Sequence, residues 1–260
     1  MTGKEQLLKG GCFAKKQLYC KDRVIAWSHL RRFQMGRRLV SDFSGGRLLD
    51  YGCGDGTFLA LVSDRFPDGV GADLDAKEVA RTTERLAEIP GISFRLIEDL
   101  QTPSHDGLFD VVTCMEVLEH CVPENEARVI SDLQRLVSPT GSVIVSVPAE
   151  IGGSLLIKQA WRTIAGWRRL GDYRYNETYR IDELLKMVLA TRWTQFSRPI
   201  YGEKLGHHGH KGFNWRALRK RLEEHFVIER THFTPIGWLG GFIASQAWFV
   251  CKVKSELREV

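Results

Sequence analysis

The chain has 260 residues, a length that suits one α/β domain with a sizeable insertion. Its hydrophobic content of 43% is ordinary for a soluble protein. The longest apolar stretch, residues 235–251, contains glycines and polar residues and is too short for a membrane-spanning helix. The first residues lack an apolar leader and the six cysteines include no C-x-x-C pair, so we expect a reduced, cytoplasmic protein.

The net charge of +5 is distributed unevenly along the chain. Residues 1–40 carry 10 Lys and Arg against 2 Asp and Glu, and residues 151–221 carry 15 against 5. Residues 41–150, in contrast, carry 8 against 20. Two interpretations stay open: the basic flanks complement an acidic core, or they face an anionic partner such as a phosphorylated substrate, nucleic acid or a membrane surface.

The N-terminal region, residues 1–44, is interpreted as a helical lead. Residues 1–15 are polar and interrupted by glycine, which indicates a loosely structured start. Residues 16–40 carry apolar side chains at mixed three- and four-residue steps, which predicts a helix. This helix carries two arginine pairs, and we expect most of its basic side chains to face solvent.

Three alternating glycines, Gly52, Gly54 and Gly56, follow an apolar run that ends in Asp50-Tyr51. Glycine permits a sharp turn and lets a ligand approach bare backbone. The apolar spacing that resumes after them suits a helix, whose first N–H groups are free to bind that ligand. The stretch therefore predicts a strand, a tight turn and a helix, which together open a βαβ unit.

The next elements alternate between strands and helices, as in a parallel sheet covered on both faces. A second strand ends in Asp73, whose carboxylate suits the two hydroxyls of a ribose. A third strand runs into Glu98-Asp99-Leu100, and a fourth, residues 109–114, leads into Met115-Glu116-Val117-Leu118-Glu119-His120. A helix from about residue 123 and a fifth strand over residues 142–147 complete the core, residues 45–150.

The glycine turn, Asp73 and the fourth-strand motif FDVV…EVLEH resemble the class I S-adenosylmethionine (SAM) dependent methyltransferases, specifically from about residue 45 to 149. The resemblance implies an α/β, Rossmann-like, doubly wound seven-stranded sheet with strand 7 antiparallel, an N-terminal helix that acts as a partial lid, and a helical insertion between strands 5 and 6. It implies SAM as cofactor, held by Asp50, Gly52, Gly54, Gly56, Asp73, Asp99, Leu100, Met115 and Glu116. The alternative is a nicotinamide-binding domain, which the missing third glycine at Thr57 and the fourth-strand motif oppose.

Residues 151–212 lie outside the resemblance and form the insertion. Residues 154–170 fit an amphipathic helix, with Ile157, Ala160, Trp161, Ile164 and Trp167 on one side and Lys158, Arg162 and Arg169 on the other. This helix is interpreted as a substrate lid that buries its tryptophans over the active site, or as a surface that contacts an anionic membrane. A second helix covers residues 180–189. Residues 213–260 return to the core with a helix and strands over 226–233 and 244–253.

Two clusters supply candidates for a catalytic base, because methyl transfer to oxygen requires removal of a proton. One is Glu116-x-x-Glu119-His120, and the other is His207-His208-Gly209-His210, of which His208 and His210 are the candidates. The first motif resembles both ubiquinone-biosynthesis O-methyltransferases and small-RNA 3′-terminal 2′-O-methyltransferases, which bind a divalent metal. We assign no residue here as a metal ligand, although carboxylates and imidazoles would suit Mg²⁺ or Mn²⁺.

The sequence therefore favours a SAM-dependent methyltransferase that acts on an oxygen of a small-molecule or lipid-linked, anionic acceptor. The alternatives are an RNA 2′-O-methyltransferase, which the aromatic spacing after His207 opposes, and a SAM-binding module without catalysis. We expect a cytoplasmic location with peripheral contact to an anionic membrane, and no nucleic-acid partner. The sequence does not indicate an oligomeric state.

Overall fold

The computed structural model describes residues 3–167, 179–202 and 206–254. The strands are β1 Arg47–Tyr51, β2 Asp68–Asp73, β3 Ile92–Leu96, β4 Phe109–Met115, β5 Val137–Pro148, β6 Ile200–Tyr201, β7 His207–His208, β8 Phe226–Thr234 and β9 Gln246–Val253. The helices are α1 Gly3–Gly10, α2 Cys12–Gln17, α3 Arg23–Val40, α4 Thr57–Val62, α5 Ala76–Arg85, α6 Pro123–Leu136, α7 Gly153–Trp167, α8 Ile181–Val188, α9 Trp215–His225 and α10 Gly240–Ile243.

Seven strands form one sheet in the order β3-β2-β1-β4-β5-β9-β8. The first five strands pair in parallel, whereas β9 pairs antiparallel with β5 and with β8. The strand order reverses at β1, between β2 and β4, and the crevice beyond such a reversal is where ligands of doubly wound sheets bind. The predicted Rossmann-like sheet with an antiparallel last strand is confirmed.

Each face of the sheet carries its own hydrophobic core. Leu49 and Val112 point to the face covered by α6 and α9, while Leu48 and Val111 point to the face covered by α3 and α4. The central strands are buried on both faces because helices cover each side, so their sequences read as continuous apolar runs. Trp248 in β9 is fully buried beside α3. Helix α3 is therefore part of the second core as well as a neighbour of the cofactor crevice.

Residues 3–15 are more ordered than the sequence indicates, since they form most of two short helices, α1 and α2. Helices this short are not stable alone and need tertiary contacts. Leu8 and Ala14 supply them by packing into the interior, where they are 6% and 1% exposed. Asp22 follows these helices and is the N-cap of α3. Its carboxylate accepts hydrogen bonds from the backbone N–H groups of Val24 and Ile25.

Helix α7 of the insertion is inverted relative to the prediction. Its basic side faces the protein, where Lys158 lies 2.9 Å and Arg162 3.6 Å from the buried carboxylate of Glu150. On its apolar side Trp161 is half-buried and donates to the Asp22 carboxylate at 3.1 Å, whereas Ile157, Ile164 and Trp167 are exposed, Trp167 by 83%. The prediction that Trp167 is buried over the active site is wrong. The periodicity distinguishes the apolar side of the helix from the basic side, but it does not show that the buried Glu150 carboxylate binds the basic side chains. Arg169 lies outside the described residues.

The sequence predicts reduced cysteines and apolar stretches too short for a membrane-spanning helix. All six cysteines are free thiols. Of the helices in the described ranges, none combines the length and the apolar character needed to cross a bilayer. Several large apolar side chains are exposed on α3, α7, α8 and the segment around α10.

Candidate functional site

The glycine turn between β1 and α4 has the backbone conformation that the sequence predicts. Gly52, Gly54 and Gly56 have φ values of 76°, 52° and 65°, in the left-handed region that side chains with a Cβ avoid. A Cβ on Gly52 would overlap the side chain of Val117, and one on Gly56 would lie 2.7 Å from the ring of Phe94. The turn thus accepts only glycine at these points, and its backbone is left open to a ligand.

A cavity of about 560 Å³ opens beside this turn, at the carboxyl ends of β1, β2 and β4. The sequence-assigned residues that line it are Asp50, Gly52, Gly54, Asp73, Met115, Glu116 and His120. Residues from the N-terminal helices and the hairpin β6–β7 complete its wall, among them Phe13, Arg32 and His207. The cavity therefore extends from the glycine turn to the region where the two histidine-containing motifs meet.

Asp50 lies at the floor of the cavity with 2% of its surface exposed. Its carboxylate accepts a hydrogen bond of 2.7 Å from the Thr113 hydroxyl. Burial raises the pKa of Asp50 to about 7; the Thr113 hydrogen bond opposes this shift, and the negative charge of Asp73 adds to it. A cationic group bound here would favour the ionised form and would replace the proton.

Asp73 ends β2 and holds the turn by its carboxylate. One oxygen accepts the Gly54 N–H at 2.8 Å, and the other accepts the Asp75 N–H at 3.1 Å. The side chain lines the cavity, so its remaining lone pairs face the space that a ribose would occupy. Asp73 therefore has a structural role in the turn, and its contact with the ribose stays a prediction.

Asp99 and Leu100 are not among the residues that line the cavity in the described ranges. The Asp99 carboxylate accepts the Leu96 N–H at 3.1 Å, and Leu100 is fully buried in the core. The cavity wall on this side comes from Ile97. Contact of Asp99 and Leu100 with adenine stays a prediction.

Asp55, which the sequence analysis did not single out, fastens the N-terminal helices to the glycine turn. One carboxylate oxygen accepts the backbone N–H groups of Phe13 and Ala14 at 2.8 and 3.0 Å, at the start of α2. The other accepts the Thr57 hydroxyl at 2.7 Å. Arg85 bonds to the carbonyls of Asp55 and Leu7 and reinforces the junction. This is the contact that places Phe13 over the cavity.

Glu116 follows β4 in a strained conformation, since its φ of 58° is the positive value that side chains other than glycine rarely adopt. Its carboxylate accepts a hydrogen bond of 3.1 Å from Ser146 and lies 3.5 Å from Arg32. Arg32 is 6% exposed, so this arginine of α3 is an exception to the expected solvent-facing basic residues. The pair connects α3 to the end of β4 across the cavity.

Glu119, His120 and His210 form a cluster next to this end of the cavity, with one ligand atom from each lying within 4.8 Å of the others. Both carboxylate oxygens of Glu119 are buried without a hydrogen-bond partner in the described part of the chain. Burial, and then the charge of Glu116, raises the pKa of Glu119 well above its usual range. An unpartnered buried carboxylate is costly, which suits a site that receives a proton or a cation.

The two histidines of the cluster are oriented by their Nδ1 atoms. His120 Nδ1 lies 3.0 Å from the His208 carbonyl, so it carries the proton and leaves Nε2 with a free lone pair. His210 Nδ1 lies 3.4 Å from the Glu150 carboxylate. Histidine ligands of metals are held in this way by a carbonyl or carboxylate behind them. The donor set of Glu119, His120 and His210 therefore fits a divalent metal, which our sequence analysis did not assign.

His208 is placed differently from His210. It is 7% exposed, and its Nδ1 donates to the Pro199 carbonyl at 2.9 Å across the β6–β7 hairpin. The hairpin is attached beside His120 by a bridge between Cys121 and His207 and by Arg198, which donates to the carbonyls of Glu119 and Gly209. His208 does not line the cavity, and its role as a base stays a prediction.

The comparisons with known proteins agree with this geometry. A family model described as "Methyltransferase domain" matches residues 26–225. The ubiquinone biosynthesis O-methyltransferase of Acinetobacter baylyi is 36% identical over 107 residues, which cover 40% of this chain and 44% of that protein. The enzyme of the same name from Pectobacterium atrosepticum is 35% identical over 155 residues, with 55% and 60% covered. The aligned region thus spans about half the length of these relatives.

Among solved structures, the magnesium protoporphyrin IX methyltransferase of Synechocystis, with bound S-adenosylhomocysteine, superimposes with a TM-score of 0.52. It is 17% identical, and the match covers 96% of this chain and 93% of that one. At this identity the likeness concerns the fold. Because the family match extends over most of the chain and the sheet, turn and cavity agree with it, the chain belongs to the family of SAM-dependent methyltransferases, with SAM as its cofactor.

Proposed function

We propose that the protein transfers the methyl group of SAM to a hydroxyl oxygen of a small-molecule or lipid-linked acceptor. The observation that carries this proposal is the Glu119–His120–His210 cluster beside the cofactor cavity. A hydroxyl is a poor nucleophile until its proton is removed, and the cluster provides groups that accept one. The names of the curated relatives, which are O-methyltransferases of ubiquinone biosynthesis, also support oxygen as the acceptor atom.

The reaction is an in-line displacement. The acceptor oxygen bonds to the methyl carbon while the carbon–sulfur bond breaks, and S-adenosylhomocysteine leaves with the electron pair on its sulfur. The enzyme contributes alignment and removal of the hydroxyl proton. Asp50 and Asp73 hold the cofactor, and Glu116 forms the floor beneath the reacting sulfur.

His120 is the best-placed base, because its Nε2 lone pair is free and it lines the cavity. Burial lowers the pKa of His120, so the ring is neutral at physiological pH. Glu119 lies 3.7 Å from this ring, close enough to exchange the proton that His120 accepts. A divalent metal in the cluster, when bound, would acidify the acceptor hydroxyl. In either case His120 and Glu119 act on the same proton.

Methylation assays with separated acceptor pools test the proposal. Incubation with methyl-labelled SAM and lipid, small-molecule and RNA fractions should label the lipid or small-molecule pool. His120→Ala should remove that label, while the matched control His105→Ala, on the loop before β4, should keep it. Label in the RNA pool would favour the RNA enzyme, and cofactor binding without label in any pool would favour a SAM-binding module.

Chelation separates the two forms of the mechanism. If a metal takes part, exhaustive chelation should abolish methyl transfer, and titration calorimetry with Mn²⁺ should show binding to the wild type that His210→Ala loses. Full activity after chelation would leave His120 as a base that acts without a metal. SAM affinity should be the same in all these samples, because the cluster lies beyond the cofactor residues.

We also propose that the insertion contacts an anionic membrane, where a lipid-linked acceptor would reside. The exposed apolar residues of its two helices are Leu156, Ile157, Ile164, Trp167, Ile181, Leu185 and Leu189. Exposed basic side chains, Lys186 and Arg192, lie beside those of α8. Apolar and basic groups together on one surface are typical of peripheral membrane proteins.

Vesicle flotation tests the membrane contact. Wild-type protein should float with vesicles that contain phosphatidylglycerol and should be released as salt rises. Trp167→Glu should weaken this binding, whereas Val227→Glu, an equal change at an exposed position of β8, should not. Equal flotation of both variants would contradict the assignment of this surface.

A further inference from the structure

A second cavity, of about 450 Å³, lies against a different face of α3 from the one that carries Arg32 of the Arg32–Glu116 pair. Its α3 wall consists of Arg31, Gln34, Met35 and Arg38, which the helical repeat places on one face. Its other wall is the end of the edge strand β8 and the following loop, residues 231–237. It shares no lining residue with the cofactor cavity.

The lining of this cavity is positively charged. Arg31 and Arg38 are its two formal charges, and none of its lining residues is an aspartate or glutamate. Within the described ranges neither arginine forms an ion pair, and the Arg31 side chain donates a 3.3 Å hydrogen bond to the amide oxygen of Gln34. Arg230, nearby on β8, is already paired with Asp42 at 3.4 Å. The charges of Arg31 and Arg38 are therefore uncompensated by side chains.

His232 adds a donor to the same wall. Its Nε2 atom is buried and has no hydrogen-bond partner among the described residues. Burial, and then the charges of Arg230 and Arg38, lowers the pKa of His232. A buried nitrogen without a partner next to two unpaired guanidinium groups is an arrangement that an anionic ligand would satisfy.

We propose that this cavity binds a phosphate-class anion through Arg31, Arg38 and His232, at a site separate from the methyl-transfer centre. Guanidinium groups present their N–H donors in a planar fork that matches the oxygens of phosphate. The two arginines are seven residues apart, about 10 Å along the helix, so that their long side chains approach one anion from two directions. The size of the cavity accommodates a phosphate group with part of its substituent.

The same chemistry is offered by a free phosphate and by a lipid headgroup. Trp238 follows the last lining residue, Gly237, and is 86% exposed. Tryptophan at the rim of an anion site is typical of proteins that rest on a bilayer surface. The phosphate-class ligand is common to both sources, and the experiment has one arm for each.

The first arm uses inorganic pyrophosphate as the probe in titration calorimetry at constant ionic strength. The wild type should bind pyrophosphate, and Arg31→Gln/Arg38→Gln should weaken that binding about tenfold or more, because two charged donors are removed. The control Arg65→Gln/Arg219→Gln removes the same charge at positions outside both cavities and outside the proposed membrane surface, and it should bind like the wild type. SAM binding by all variants checks that the fold is intact. No binding by the wild type, or equal binding by the double variant and the control, overturns the proposal.

The second arm measures flotation with phosphatidylglycerol vesicles. Loss of flotation in Arg31→Gln/Arg38→Gln, but not in the control pair, would support the site with a lipid headgroup as the ligand. Equal flotation, together with the loss of pyrophosphate binding, would support the site with a soluble phosphate as the ligand. The readouts are independent of methyl transfer, so failure of the proposed function leaves this test unaffected.

Discussion

The raised pKa of Asp50 predicts that cofactor affinity depends on pH. By family resemblance, Asp50 faces the methionine end of the cofactor, whose amino group is a cation. Only the ionised carboxylate attracts that cation, and in the free protein burial places the pKa at about 7. Binding must then release a proton from Asp50 whenever the pH lies near or below this value.

The size of the effect follows from that pKa. The competent fraction of Asp50 is about one in eleven at pH 6 and about three in four at pH 7.5, by the ordinary titration curve. The apparent dissociation constant should therefore fall roughly eightfold between these values, which is about 1.3 kcal/mol at 1.4 kcal/mol per factor of ten. The comparison stops at pH 7.5 because the amino group of the cofactor loses its own proton at higher pH.

Titration calorimetry with S-adenosylhomocysteine measures this directly. Affinity should rise with pH, and the heat at pH 6.5 should change with the ionisation enthalpy of the buffer, which reports the released proton. Asp50→Asn should bind weakly at every pH and should lose both the slope and the buffer dependence. A flat affinity profile in the wild type, or an unchanged slope in the variant, would refute the reasoning.

Three further predictions concern the carboxylates around the cavity. Asp73→Ala should weaken SAM binding about tenfold or more, measured by calorimetry, because the ribose hydroxyls and the turn lose a charged acceptor. Asp55→Ala should expose α2 to trypsin, with faster cleavage in limited proteolysis, since loss of such a cap costs about 1 kcal/mol; unchanged cleavage would contradict its fastening role. Glu119→Gln should raise the Tm of metal-free protein at pH 8 but not at pH 4. Burial raises the pKa of Glu119 in the folded protein, so the free energy of unfolding falls as the pH rises above the pKa of glutamate in the unfolded chain, about 4.3. A Tm at pH 8 equal to that of the wild type would show that burial of this carboxylate does not destabilise the fold.

The glycine turn and the parallel strands around it were predictable from the sequence because their constraints are local. The positive φ values at Gly52, Gly54 and Gly56 exclude other residues whatever the distant contacts are. Asp73 is placed by the strand that it ends and by the turn whose N–H groups it accepts. Strands buried on both faces likewise produce apolar runs that can be read without knowledge of their neighbours.

The residues that were missed act across long sequence distances. Asp55 caps a helix that begins more than forty positions earlier, and Arg32 pairs with Glu116 more than eighty positions later. Neither has a local signal, because an aspartate in a glycine turn and an arginine in a basic helix are both ordinary. The predicted orientation of α7 is wrong for the same reason. Lys158 faces the interior because Glu150, which precedes the insertion, is buried there.

The contacts around the cavity divide the enzyme into two separately anchored parts. At the cofactor end, Asp55 fastens the N-terminal helices to the glycine turn. At the other end, Arg198 and the Cys121–His207 bridge hold the hairpin against Glu119 and His120. Because no residue takes part in both attachments, a change in the hairpin alters the environment of the proposed base while the cofactor contacts stay in place. We therefore expect substitutions at His208 and His210, which do not line the cofactor cavity, to affect methyl transfer more than SAM binding.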